Sequence, residues 1–408
     1  MDTITHGIAG ALIAKSFASG ENMFPVKPMS RARITTWALM LGAIFPDSDV
    51  LRDMLSRNEL LMITWHRSLT HSLVLMPIYA LLLAALTWWI ARKLQSDSPS
   101  YATLAIVFGV GILSHILLDL VTTFGTMIWS PIDWSRPAWD LIFIVDFTFT
   151  GILLTPQLLA WVHSDPQRAP RRAVMMWMLF IPLTFGIAAI GRIVGAPIST
   201  TAVWVAILIF SVLFLVPAFR GWGGRLRLAT WNRAGFIGGC IYIALAVFAH
   251  HQSLERIQRF AEFQGVKVQS IGALPFPPSL WNWDGLIRAE RGVYEIRIDL
   301  SQSSGIPKRI AGATASAGSA SGDFSYKFFP DAHSNPFIDQ ARRLPEVQKV
   351  LWFDRFPVTR FHKEGQESVV EIIDLRFPQV REDRPASFTY RVRFDAAGKV
   401  VSKGWARE

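Results

Sequence analysis

The sequence predicts an α-helical membrane protein, a multi-span helical bundle followed by a small C-terminal α+β extramembrane domain. Of its 408 residues, 51% are hydrophobic and only 18% are charged, which is too apolar for an ordinary soluble protein of this length. The apolar residues are concentrated in runs, and these runs stop near residue 251. We therefore expect a transmembrane bundle over residues 1–251 and a soluble domain over residues 252–408.

The lengths of the apolar runs predict the membrane spans. A hydrocarbon core about 30 Å thick needs about 20 apolar residues per helix. Runs of about this length, the last one slightly short, lie at residues 68–90, 101–121, 140–161, 173–194, 198–219 and 235–251. Two earlier stretches, 4–17 and 34–45, are shorter and suit tilted spans, a hairpin dipping into the bilayer, or helices packed on the bundle. Small residues such as Gly7 and Gly10 suit the first of them to close helix packing.

Basic residues predict the orientation of the bundle. Arg92 and Lys93 follow one span, three arginines lie in the loop 162–172, and four lie in the loop 220–234. These loops share one side of the membrane if every helix crosses, and the positive-inside rule makes that side cytoplasmic. The N-terminus and the soluble domain then lie outside. Because much of the net charge of +10 is explained by topology, nucleic-acid binding is not expected.

Polar clusters interrupt the first 150 residues, and on the predicted topology all of them reach the outer face. They contain the pairs Asp2 and His6, Asp47 and Asp49, His66 and His71, His115 and Asp119, and Asp140 and Asp146. A single histidine near an interface is usually a hydrogen-bonded polar residue, and a Pro-Asp pair is usually a turn. However, ionisable residues deep in an apolar run are costly and mark functional sites. The clusters together therefore predict a metal site.

The residue types and spacings predict which metal binds. His115 and Asp119 are four residues apart on a helix, so their side chains stack about 6 Å apart on one face. A mixed imidazole and carboxylate set favours zinc, manganese or iron over calcium or magnesium. With this many ligands, either one ion or a two-metal site with ions about 3.5–4 Å apart can be built. The predicted metal ligands are His6, Asp47, His66, His71, His115 and Asp119.

Three further residues are predicted to serve catalysis beside the metal: Asp49, Asp140 and Arg67. Arg67 could contact an anionic substrate group or be an ordinary interfacial cation. The other five histidines fit no spacing pattern and are interpreted as interfacial or surface residues, namely His163, His250, His251, His333 and His362.

The clusters also form ordered motifs: MDTITH at residues 1–6, FPDSD at 45–49, HRSLTHS at 66–72 and HILLD at 115–119. With the stretch 138–146, they resemble the bacterial inner-membrane metal-dependent hydrolase family, some members of which are labelled LexA-binding, membrane-associated hydrolases. The resemblance covers about residues 1–150. It implies a multi-pass protein of the bacterial inner membrane with hydrolase activity, and it names no substrate.

A weaker likeness is to zinc-dependent phospholipase C and related nucleases. Those enzymes use an early histidine, an aspartate, another histidine and a His-x-x-x-Asp pair in the same order. The likeness implies that a zinc cluster acting on phosphodiesters would be held by His6, Asp47, His66, His115 and Asp119. Most of the later ligands of that superfamily have no counterpart in this sequence, which would make the cluster smaller.

The C-terminal domain shows β-like alternation at residues 293–298, 368–375 and 388–394, and a turn at 395–398 that leads into a further strand. A helix is expected near residues 339–351. No catalytic cluster is visible there, so the domain is expected to cap the active face, hold lipid head groups or bind a regulatory protein partner.

Three functions are compatible with these features. The leading hypothesis is a metal-dependent hydrolase that cleaves a phosphate or acyl ester of a lipid or lipid-linked substrate with metal-activated water. A metal or ion transporter is the second, although a transport path should place ionisable residues in both halves of the bilayer. The third is a non-catalytic membrane anchor for a regulatory partner, with a structural metal.

Overall fold

The computed structural model describes residues 1–17, 30–56, 58–94, 97–193, 198–276, 280–301, 325–333, 335–377 and 386–406. Within these ranges the helices are α1 (Thr3–Phe17), α2 (Arg31–Ile44), α3 (Val50–Leu55), α4 (Leu61–Thr64), α5 (Met76–Lys93), α6 (Tyr101–Leu120), α7 (Phe147–His163), α8 (Ala169–Ile193), α9 (Thr200–Phe219), α10 (Leu228–Gln264), α11 (Pro336–Arg342) and α12 (Pro345–Phe353). The strands are β1 (Ser270–Phe276), β2 (Asn282–Ala289), β3 (Gly292–Asp299), β4 (Ser325–Pro330), β5 (Pro357–Glu364), β6 (Glu367–Asp374), β7 (Thr389–Phe394) and β8 (Val400–Trp405).

Several helices of the described chain suit a membrane. By length and composition, four of them can cross it, namely α6, α8, α9 and α10. A fifth crossing results if residues 61–71 and helix α5, which are bent by 70° from each other, form one broken span. Helix α7 has 17 residues, and α1 and α2 have 15 and 14. The predicted fold class, a helical membrane bundle with a small C-terminal domain, is confirmed.

The span predicted at 68–90 begins later than expected. Residues Leu69–His71 form a 3₁₀ turn, and the α-helix starts only at Met76. The hydroxyl of Ser72 accepts hydrogen bonds from the backbone N–H groups of Val74 and Leu75, and these bonds form a turn just before the helix. Pro77 then occupies the first helical turn, where its missing N–H costs nothing. His71 therefore lies in a turn before the helix.

The span predicted at 140–161 also starts late, at Phe147. The Asp146 carboxylate caps this helix by accepting from the N–H groups of Thr148 and Phe149. Asp140 has a left-handed backbone conformation with φ of 54°, which cannot continue into a right-handed helix. The expectation that Asp140 opens this helix was wrong.

Helices α1, α2 and α6 pack closely because glycines stand where they meet. A methyl group at Gly10 would lie 2.8 Å from Ala43 Cβ, and one at Gly111 would lie 2.6 Å from the Leu39 carbonyl oxygen. Such contacts are too short for any side chain, so the backbones can approach only where glycine is present. This packing brings the ends of the three helices that carry the polar clusters close to each other.

The described residues form two compact units. The first comprises Met1–Asp49 and Arg67–Ala244, and the second comprises Val50–His66 and Leu245–Glu408. In the second unit, the segment 50–66 is held by the C-terminal strands. The Trp405 indole N–H, for example, donates to the Glu59 carbonyl oxygen at 2.8 Å.

The second unit contains two four-stranded antiparallel sheets, each in sequence order, β1-β2-β3-β4 and β5-β6-β7-β8. Ile257 and Phe260 of α10 pack on the first sheet with Trp283, Ile287 and Ile296, which buries its apolar face. The predicted strands near 293–298, 368–375 and 388–394 are confirmed as β3, β6 and β7. The single helix expected at 339–351 is instead two helices, because Pro345 starts a new one.

Candidate metal centre

Four side chains of the first unit converge on one point. They are Asp47 after α2, His71 in the 3₁₀ turn before α5, and His115 and Asp119 on α6. One ligand atom from each lies within 4.8 Å of all the others. Both imidazoles and the Asp119 side chain are fully buried, and the Asp47 side chain is 8% exposed. We call these four residues the four-ligand group.

The orientation of His115 is set by the backbone of α2. Its Nδ1 lies 2.7 Å from the carbonyl oxygen of Ala43. A carbonyl oxygen can only accept, so Nδ1 carries the hydrogen, and the lone pair of a neutral ring is on Nε2. Nε2 is the atom that faces the group, 3.4 Å from carboxylate oxygens of both Asp47 and Asp119. Histidines that bind metals are usually held in this way.

The Nδ1 side of the His71 ring, away from the group, is held by a hydroxyl and a carboxylate. The Thr70 hydroxyl donates to Asp49 Oδ2 at 3.2 Å and lies 3.0 Å from His71 Nδ1, whose N–H it can accept. Asp49 Oδ2 also lies 3.5 Å from this Nδ1 and accepts the backbone N–H of Arg67 at 3.0 Å. The Nε2 lone pair of His71 therefore also faces the group.

This arrangement fits a divalent cation. The two Nε2 atoms are 3.0 Å apart, and Asp119 Oδ2, buried 3.2 Å from His71 Nε2, has no hydrogen-bond donor among the described residues. Lone pairs that converge in a buried space repel each other unless a proton or a cation lies between them. For metal–ligand bonds of about 2.0–2.2 Å, the edges of a tetrahedron are about 3.3–3.6 Å long. Five distances between donor atoms of the group are 3.0–3.7 Å.

The other oxygen of Asp119, Oδ1, is surrounded by donors. Arg67 Nη2 lies 3.0 Å from it, His6 Nε2 lies 3.2 Å from it, and the Met1 amino group contacts it. The His6 ring also stacks on His115 with a centroid distance of 3.6 Å. His6 is therefore adjacent to the four-ligand group but is not one of its members.

Two further contacts hold the group, and sequence reasoning missed the second of them. The Thr3 hydroxyl donates to Asp47 Oδ2 at 2.5 Å, and the Ala43 carbonyl orients His115. Thr3 stood beside a recognised cluster, so its type and position gave a weak signal. A backbone carbonyl gives no sequence signal at all.

Three other residues of the predicted clusters are not members of the four-ligand group. His66 is half-buried and belongs to the second unit. Asp140 is 4% exposed, and Asp146 caps α7 and accepts a hydrogen bond from the Tyr242 hydroxyl at 2.6 Å. His163, expected at an interface or at the surface, is the last residue of α7, is buried and stacks on Trp231, so it is not a surface residue.

The fold and the geometry define a multi-pass membrane protein with a buried cluster of histidines and aspartates able to hold a metal. A family model described as YdjM inner membrane protein matches residues 1–252. The chain therefore belongs to the YdjM inner membrane protein family, which confirms the expected bacterial inner-membrane family and a multi-pass inner-membrane protein. No curated protein and no solved structure matches the chain significantly. Hydrolase activity stays a prediction.

Proposed function

We propose that the chain is a membrane-embedded, metal-dependent hydrolase that cleaves a phosphate or acyl ester of a lipid or lipid-linked substrate. The observation that carries the proposal is the convergence of four ligand atoms from three separate segments, three of them on buried residues, with the Nδ1 atom of each imidazole held by a neighbouring group. Orienting contacts of this kind raise the affinity of a site for a metal. The proposed ion is a divalent transition metal, with zinc favoured by the mixed nitrogen and oxygen donors.

A metal held by Asp47, His71, His115 and Asp119 would polarise a phosphoryl or acyl oxygen and lower the pKa of a bound water. Around it, the residues of the chain have distinct roles. Arg67 offsets the charge of Asp119 through the 3.0 Å ion pair, and Asp49 positions His71. Both are positioning residues in this proposal, and Arg67 also supplies positive charge near the place where an anionic ester group would lie. Asp140 stays a predicted catalytic residue.

Activity is tested with the purified protein and a panel of lipid phosphate and acyl esters in detergent. We expect turnover of at least one ester that needs added zinc, manganese or iron and is reduced to background by His115→Ala. His362→Ala is the matched control, because His362 is 40% exposed and pairs with Glu364 in the C-terminal domain. Equal turnover by His115→Ala would exclude the four-ligand group as its origin.

A second candidate function is a membrane anchor for a regulatory partner, with a structural metal. It is favoured because four protein ligands fill a tetrahedral site, as in structural zinc centres, whereas catalytic centres keep one position open. The same panel separates the two candidates. Metal removal that lowers the thermal stability, with no ester cleaved by the metal-loaded protein, would favour the anchor.

We also propose that the metal centre and the C-terminal domain lie on the extracytoplasmic side. This is supported by the arginine-rich loops 162–172 and 220–234, which the positive-inside rule assigns to the cytoplasm. In a Cys240→Ser background, Ser135→Cys and Ala396→Cys should react with an impermeant thiol reagent on intact cells, and Arg225→Cys only after lysis. All three positions are exposed in the structure. Labelling of the Arg225→Cys variant in intact cells would reverse the orientation.

A further inference from the structure

A cavity of about 740 Å³ opens in the first unit between α1, α2, α7, α8 and α10. Its volume is in the range of about 300–1,000 Å³ that is typical of small-ligand sites. Most of its wall is apolar, with Met40 and Ile44 from α2, Leu154 and Leu158 from α7, and Met176 from α8. A polar head group would find few partners there, whereas a hydrocarbon chain would meet a matching apolar wall.

The cavity is long in the direction of α1. One face of this helix lines it from Thr3, through Ile4, Ile8 and Ala11, to Lys15. Thr3 and Lys15 are 12 residues apart in the helix, which is about 18 Å at about 1.5 Å per residue. One leaflet of a bilayer is about 15 Å deep, half of the hydrocarbon core of about 30 Å. The cavity is therefore about as long as the acyl chain of a membrane lipid.

The two ends of the cavity differ. At one end, Thr3 lines the cavity and also donates to Asp47 Oδ2 of the four-ligand group. At the other end, Lys15 Nζ donates to Gln157 Oε1 at 3.0 Å, and the Gln157 amide donates to the Ile8 and Leu153 carbonyl oxygens. These hydrogen bonds give this end of the cavity polar side chains, unlike the apolar wall between the two ends. Ile4 is 75% exposed beside the Thr3 end, so a chain can enter there sideways from the lipid.

We propose that this cavity binds one acyl chain of a lipid substrate, with the ester or phosphate group at the Thr3 end beside Asp47 and the chain terminus near Lys15 and Gln157. The inference rests on the proposed function and deepens it, because it names the substrate class as a lipid with an acyl chain no longer than about one leaflet. A polyprenyl chain, which is much longer than the cavity, would not be accommodated in it.

The test uses the full-length, metal-loaded and delipidated protein with photoreactive probes. The probes are monoacyl glycerol phosphates that carry a diazirine either at the chain terminus or next to the head group. The terminal probe should label the peptides that contain Lys15 and Gln157, and the proximal probe should label the peptide around Thr3 and Ile4. Equal labelling of lipid-facing helices by both probes, or competition by a polyprenyl phosphate as strong as by an acyl phosphate, would overturn the proposal.

Two variants of α1 sharpen the test. Ile8→Phe should fill the cavity and weaken labelling by the terminal probe about tenfold, the effect expected of overpacking. Ile13→Phe is the matched control, because Ile13 is half-buried on the same helix but does not line the cavity. Equal metal content in both variants shows that the fold is intact. Labelling at the predicted peptides without ester hydrolysis would support the acyl-chain cavity and reject the hydrolase. Ester hydrolysis that is unaffected by Ile8→Phe would support the hydrolase and reject the acyl-chain cavity.

Discussion

Replacing any one of Asp47, His71, His115 and Asp119 with alanine is expected to remove most of the bound metal. Each contributes one of four donor atoms that lie within 4.8 Å of one another. Residues that merely orient a ligand change metal affinity by about 10–100-fold, so loss of a ligand itself should cost at least about 100-fold. The measurement is elemental analysis of the purified wild-type protein and the four single variants after dialysis against buffered metal.

The controls for this prediction lie in the same chain. His333→Ala and His362→Ala remove histidines of the C-terminal domain, whose Nε2 atoms face the Glu290 carbonyl oxygen and the Glu364 carboxylate. Their metal content should equal that of the wild-type protein. If the four ligand variants also keep their metal, the buried group is an imidazolium–carboxylate cluster balanced by protons, and the metal centre would have to be abandoned.

Asp49→Asn should give an intermediate result. Asp49 contacts His71 Nδ1 from behind, at 3.5 Å, and is not in the four-ligand group. An amide in its place keeps the size but removes the charge that favours a well-oriented, electron-rich imidazole. A loss of about 10–100-fold in affinity follows from this role, smaller than the loss from His71→Ala.

The sequence predicts the membrane bundle well because apolar runs report directly on burial in lipid. It also predicts the pairing of His115 and Asp119, since residues four apart on a helix must share a face. The helix starts at 68 and 140 could not be predicted in the same way. Hydropathy does not register the turn at Ser72 or the Asp146 cap, after which the two helices begin at Met76 and Phe147.

The sequence alone could not show which of His66 and His71 belongs to the metal site. Both stand in one motif, and spacing alone allowed both to face the metal. In the structure Arg67, between them, has φ of 62°, a left-handed conformation that turns the chain. After this turn, His71 joins the four-ligand group, whereas His66 belongs to the second unit with the segment 50–66. Such a turn at a non-glycine residue leaves no recognisable mark in a single sequence.

The family match and the candidate site concern the same part of the chain. The family model covers residues 1–252, which include all four members of the four-ligand group and the whole wall of the cavity. The antiparallel sheets after residue 270 lie outside that match. We therefore expect metal binding and the acyl-chain cavity in the bundle, and the role of the C-terminal domain stays a prediction.

Double variants test whether the clusters form one centre and which residues belong to it. We expect the double variant, His71→Ala with His115→Ala, to bind hardly less metal than the single variant that binds less. The effects of residues that hold one ion together are grossly non-additive. His66→Ala should keep most of the metal. This result would distinguish the four-ligand group, which lacks His66, from the ligand set implied by the phospholipase C likeness, which includes it.

His6 decides the number of ions. It lies 3.2 Å from Asp119 Oδ1, stacks on His115, and has a buried Nδ1 without a hydrogen-bond partner among the described residues. With a single ion, His6→Ala should leave the stoichiometry at about one per chain and weaken the affinity by about 10–100-fold, as an orienting neighbour does. With two ions, His6→Ala should lower the stoichiometry from about two to about one. Independent, additive losses for His6→Ala and His115→Ala would mean separate sites, and the single-centre interpretation would be wrong.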